Sequence, residues 1–145
     1  MRNSTTVVAA ALMMLQPCTG KAQEVPTAPA TATEAVAAGL KRVGATELAQ
    51  RYGGARLLIV DKGQVIRLEL HPDGTLDYLD DKSGADTGNW LVQTRNGGTL
   101  CRRYSKQMGG RTCVVYFAAP DGVHWFGYGA DDGRWRDTTR PLTGR

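Results

Sequence analysis

The sequence predicts a small, mainly β domain of seven to eight antiparallel strands, closed into a barrel or folded as a two-sheet sandwich, behind a short helical lead-in. Three observations predict it. From Ala55 onward, short runs rich in Val, Ile, Leu, Thr and aromatic residues alternate with clusters of Gly, Asp and Asn, the texture of an antiparallel all-β domain. The joints carry turn chemistry: Asp61-Lys62-Gly63-Gln64, Pro72-Asp73-Gly74, Asn96-Gly97-Gly98 and Pro120-Asp121-Gly122 put Gly where φ > 0 is needed. The links are short, with only 81–87 and 106–110 longer, so there is no room for crossover helices and neighbouring strands run antiparallel.

Residues 1–22 read as a secretory signal. Arg2 is a short positive region, Val7 to Leu15 an apolar one of nine residues, and Gly20-Lys21-Ala22 a small-residue site that predicts cleavage after Ala22. Nine apolar residues fall short of the roughly 20 that cross a bilayer. The alternative is lipidation at Cys18, against which Pro17 argues because a small residue is expected before the modified Cys. No later run is apolar enough to span, so no transmembrane segment is expected. Over residues 23–44 the Pro/Ala/Thr-rich start QEVPTAPATA predicts a flexible tether. Thr33 could cap a short helix with Val36, Leu40 and Val43 on one face, ended by Gly44. Thr46 could cap a second helical turn with Leu48 and Tyr52 four apart, stopped by Gly53-Gly54.

The β-domain occupies 45–140. Strands are predicted over 55–61, 64–70, 75–80, 88–94, 99–105, 111–119 and 123–129, with a last one near 134–138. Alternation assigns their faces. Ile66, Leu68 and Leu70 share one, with Arg67 and Glu69 opposite; Trp90 and Val92 share another. Cys113, Val115 and Phe117 alternate with Val114 and Tyr116, and 123–129 is apolar on both sides. Trp90, Val92, Val115 and Phe117 are the expected structural core, with Trp90 beside the cysteine pair.

The chain's 145 residues make one domain, too small for an enzyme carrying its own cofactor domain. Of 18 basic and 14 acidic residues, Arg2 and Lys21 leave with the signal, so the mature balance is 16 minus 14, or +2. That is a poor case for a nucleic-acid partner, and export argues against one as well. Of three Cys, Cys101 and Cys113 remain after the signal, twelve apart, an even pair that predicts a disulfide across adjacent strands in an oxidising compartment. With no CxxC and no nearby His, no metal site is expected, and nothing implies a cofactor.

No catalytic constellation stands out. His71 and His124 and the serines Ser83 and Ser105 sit in no local motif that builds a triad, so the chain is read as non-enzymatic. Asp73, Asp77, Asp80, Asp81 and Asp86 match no calcium-loop spacing and read as a solvated acidic loop. Arg95, Arg102, Arg103, Lys106 and Arg111 read as a solvated basic hairpin or as a patch for an anionic glycan. Trp90, Trp125, Phe126, Tyr128 and Trp135 could line a barrel mouth that holds an apolar ligand, although a small barrel needs large residues to fill its interior in any case and core filling is the favoured reading. The candidate ligand-binding residues are therefore Trp125, Tyr128, Arg102 and Arg103.

Taken in order, Asp73-Gly74-Thr75, Gly88-Asn89-Trp90, Gly98-Thr99-Leu100-Cys101 and Gly110-Arg111-Thr112-Cys113, followed by a final aromatic strand after Asp121-Gly122, resemble the small exported proteobacterial family catalogued as domain of unknown function 995. The resemblance runs over about 45–138, with Asn89 where Thr is common in the family. Similar G-x-W and paired-Cys features occur in lipocalin-like barrels and in bacterial protease-inhibitor barrels. The resemblance implies a disulfide-bearing periplasmic β-domain of unknown activity, with no catalytic residues to carry over. The expected function is an exported periplasmic binding module for a small apolar ligand or an anionic polysaccharide. The alternative is a proteinaceous inhibitor of an envelope or secreted hydrolase, presenting the segment 23–45 to an envelope-protein cleft.

Overall fold

The structure, a computed structural model, describes residues 24–61, 63–106 and 111–142. The expected signal, its cleavage site and Cys18 lie outside the described residues. Eight antiparallel strands close into one barrel, each paired to the next and the last to the first. They are β1 (Arg56–Asp61), β2 (Gln64–Leu70), β3 (Thr75–Asp80), β4 (Gly84–Gln93), β5 (Thr99–Tyr104), β6 (Arg111–Ala118), β7 (Trp125–Gly129) and β8 (Trp135–Pro141). Closure occurs where Leu57 meets Pro141 and Ile59 meets Thr139, which removes every free edge. The barrel, not the sandwich, is the arrangement.

Register places the period-2 pattern. Leu57, Leu68, Tyr78 and Asp86 lie opposite one another across β1 to β4, as do Leu70, Leu76 and Gly88. These side chains point inward, where Leu57, Leu68, Leu70, Leu76, Leu100, Val114 and Tyr116 form one buried cluster. At Gly88 an added Cβ would run into the Arg103 carbonyl on β5, so β4 and β5 can approach closely only without a side chain there.

One end of the barrel is plugged. Helix α2 (Ala45–Tyr52) starts after Gly44, whose N–H donates to the Glu47 carboxylate. Its buried residues, Leu48 and Tyr52, enter the barrel core. Tyr52 stands edge-on to Tyr116 and Trp125, with centroids at 5.6 and 5.4 Å. Its hydroxyl shares a hydrogen bond of 2.8 Å with that of Thr139. Such edge-to-face pairs contribute beyond the area they bury.

The expected flexible tether is a strap. Helix α1 (Ala32–Ala37) is capped by Thr31, not Thr33, whose hydroxyl accepts from the Glu34 N–H. The N–H of Ala32 donates to the Gly133 carbonyl at 2.7 Å, that of Trp135 to Ala30, and that of Val43 to Tyr116. The residue of α1 that is buried is Ala35, while Val36 is 63% exposed, so the predicted Val36–Leu40–Val43 stripe is corrected. The strap holds because β6 and β7 are apolar on their outer side too. Phe117, Phe126 and Tyr128 form with Ala35 a second buried cluster outside the barrel.

Candidate functional site

At the end opposite α2, β1 leads into β2, β3 into β4, β5 into β6 and β7 into β8. Among the described residues no helix fills that end, and a cavity of about 280 Å³ lies inside it. Its aliphatic wall is Ile59 and Ile66 from β1 and β2; its aromatic wall is Tyr78 and Tyr104, edge-on with centroids at 5.1 Å. Arg102, Thr112 and Asp137 complete the lining from β5, β6 and β8. Each points inward because it is in phase with core residues of its own strand: Leu100, Arg102 and Tyr104 on β5, and Asp137 and Thr139 on β8.

Arg102 and Asp137 are the chemical centre. A terminal nitrogen of Arg102 donates to Asp137 Oδ2 at 3.0 Å, and both side chains are 6% exposed. Burial opposes the Arg102 charge, but Tyr104, Tyr116 and Asp137 around it more than offset that, and its pKa lies well above the ordinary value. Burial first, and then the Asp137 charge, push the Tyr116 phenol in the opposite sense for ionisation, keeping it neutral. Asp137 has room because Gly127 faces it: a Cβ there would strike the Asp137 carboxylate, Val114 and Tyr116. The Nε of Arg102 and the hydroxyl of Tyr116 are buried with no partner among the described residues.

The other inward carboxylates are turned away from the cavity. Asp80 accepts from the N–H groups of Lys82 and Ser83, at 2.6 and 2.5 Å, and from the hydroxyls of Ser83 and Tyr78. Those hydrogen bonds, the Ser83 hydroxyl first, hold its pKa well below the usual carboxylate range. Burial first, and the bond to Asp80 second, raise Tyr78 to about 12. Asp86 accepts from the N–H groups of Thr87 and Lys106. The expected solvated acidic loop is therefore corrected: Asp80 and Asp86 are 4% and 8% exposed, because each satisfies backbone donors at the end of the barrel.

The four candidate ligand residues are not brought together. Arg102 lines the cavity, so the solvated basic hairpin is corrected at that position. Arg103, its neighbour, points outside opposite Asn89 and Arg111. Trp125 lies at the plugged end, with the Arg51 guanidinium 3.8 Å over its ring. Tyr128 is under the strap, its hydroxyl donating to the Pro29 carbonyl at 3.0 Å. Trp90 and the cysteine pair, expected side by side, lie on opposite faces of the sheet. Trp90 is half-buried at the inner cluster, its indole N–H donating to His71 O at 2.9 Å. Cys101 and Cys113 are directly opposed, Cα atoms 4.0 Å apart and sulfurs at bonding distance. They face the outer side, so Trp90 is not beside them: adjacent residues on a strand point to opposite faces. Val115 and Phe117 are likewise on the outer side, under or against the strap, while Val92 packs on the inner cluster.

A larger hollow of about 460 Å³ crosses the outer wall of β2 to β4 between Arg56, Arg67, Glu69, Leu79 and Lys106. Its charged side chains are exposed except Asp86, whose carboxylate is taken up by the N–H groups of Thr87 and Lys106, so the interior cavity, walled by the buried Arg102–Asp137 pair, is the better-built site. His71 bonds Asp77 at 2.8 Å and His124 bonds Asp121 at 2.5 Å; among the described residues, Ser83 is bonded to Asp80 and Ser105 to Thr87, not to either dyad. Among the described residues no His/Cys/Asp/Glu group could hold a metal ion, and no helix is long and apolar enough to cross a membrane. Compared with known proteins, the chain is matched by no family model, by no curated protein and by no solved structure.

Proposed function

We propose that this chain is an exported, non-enzymatic binding module whose barrel takes a small molecule into the end opposite α2. The observation that carries the reading is the half-polar cavity of about 280 Å³ with a buried arginine on its wall. Polar groups fixed against aliphatic and aromatic walls can orient a bound molecule. The volume corresponds to about nine waters at their share of liquid volume. It therefore favours a short-chain or single-ring molecule, and not a polysaccharide. Export rests on the signal-like residues 1–22 and is consistent with the opposed cysteines. The inhibitor alternative needs residues 23–45 free to enter a cleft, whereas much of that segment is hydrogen-bonded to the barrel wall.

Amide chemical-shift mapping of the mature protein against a small-molecule fragment set tests this. Compounds that bind should perturb Ile66, Tyr104 and Thr112. A set that perturbs only outer-wall residues, or none, overturns the reading.

A further inference from the structure

Resting on that reading of the cavity, we propose that its ligand is a small monocarboxylate whose head group is taken by Arg102 and whose body lies between the Tyr78–Tyr104 wall and Ile59 and Ile66. Arg102 has five N–H donors in a planar fork, and one terminal nitrogen is committed to Asp137. Its Nε is buried without a partner, and the side chain forms part of the cavity wall. A desolvated guanidinium with donors left over is matched by a planar, two-oxygen acceptor, which it can bond in parallel.

The charges around the cavity agree. The charged groups in its lining are Arg102, Arg136 and Asp137, two cations and one anion. Arg136 is paired at the rim with Asp132 at 2.8 Å and with Asp131 at 3.5 Å, so Arg102 is the head-group partner. Asp80 and Asp86 would repel an anion if they faced the cavity, but the hydrogen bonds to turn backbone described above hold them away. Tyr78 and Tyr104 offer ring faces to an apolar body. The size limit excludes long fatty acids and oligosaccharides and leaves aryl or short-chain carboxylates.

The test uses the mature protein and three probes of one size: benzoate, benzamide and benzylamine. The readout is the amide spectrum together with the side-chain Nε–H resonance of Arg102. Benzoate should move that resonance and the amides of Tyr104 and Thr112, and bind at least tenfold more tightly than either other probe. Benzamide or benzylamine binding the same residues equally well or better overturns the carboxylate inference while leaving the cavity as a binding site. No probe moving those residues overturns this inference and counts against the cavity itself. Arg102→Lys keeps a positive partner for Asp137 but loses the planar fork, and should weaken benzoate at least tenfold; unchanged affinity in a folded variant also overturns the proposal. The comparison of probes on the unaltered protein decides the matter without the variant.

Discussion

Arg102 shows how much a single residue's phase along a strand can decide. In a row of basic residues it looks like one more solvated arginine, yet it is in step with Leu100 and Tyr104 and so faces the barrel interior. A charge can stay there because Asp137 meets it and Gly127 leaves the space Asp137 needs. The pair need not be a net stabiliser, since taking both ions out of water opposes their attraction. Removing one partner strands the other, so Arg102→Ala should lower unfolding stability by about 3–5 kcal/mol, whereas Arg102→Met with Asp137→Leu should be neutral or stabilising. Urea unfolding of both variants checks this, and a double variant as unstable as the single one would show that the pair stabilises outright. If the pair is kept despite a fold that tolerates its loss, binding is the reason that the cavity geometry supplies.

At the scale of elements, the β3–β4 connection is a turn built on one carboxylate. Asp80 ends β3 and accepts from the two N–H groups and the hydroxyl of the turn that follows, so the turn's conformation and the carboxylate's ionisation are coupled. Its pKa in the fold is below the value of about 3.9 in an unfolded chain. The stability this difference supplies is fully present above the unfolded value and is lost as pH falls below about 4 toward the folded one. Asp80→Asn should therefore unfold more readily at pH 7 and show a shallower loss of stability between pH 7 and pH 3 than the parent. Equal acid slopes in denaturant titrations would remove Asp80 from the account. The β5–β6 connection is held differently, by the covalent link of Cys101 to Cys113 on the outer side.

For the whole molecule, the two helices do different work on the same barrel. Helix α2 closes one end of the barrel, while the strap with α1 covers the apolar outer wall of β6 and β7. Fully buried Phe side chains contribute about 1.5–3 kcal/mol each. Deleting residues 24–43 uncovers Phe117 and Phe126, so it should cost about 3–6 kcal/mol and expose a dye-binding apolar surface. Thermal unfolding and dye fluorescence measure both. Because the strap lies on the wall and not at the mouth, cavity binding should survive at temperatures where the truncated barrel is folded, and loss of cavity binding in a folded truncated barrel would show that the strap shapes the mouth.

Strand number, antiparallel order and the cysteine pairing were legible in the sequence, whereas β4 begins at Gly84, inside the link expected over 81–87, and β8 runs on to Pro141. The legible features depend on turn residues and on contacts between neighbours along the chain, as in Asp73-Gly74 and Asn96-Gly97-Gly98, and every strand pair but the closing one joins consecutive strands. Which face of β6 and β7 is inside was not legible. Both faces carry large apolar side chains, so period-2 alternation cannot say whether Val114 and Tyr116 or Val115 and Phe117 fill the barrel. The meeting of Arg102 with Asp137, 35 residues apart, and the docking of the strap through Pro29 and Tyr128, 99 apart, were decided only by closure. Local sequence sets which side chains alternate. Only the closed barrel sets which of those faces becomes dry, and a dry interior is what turns an ordinary arginine into a candidate site.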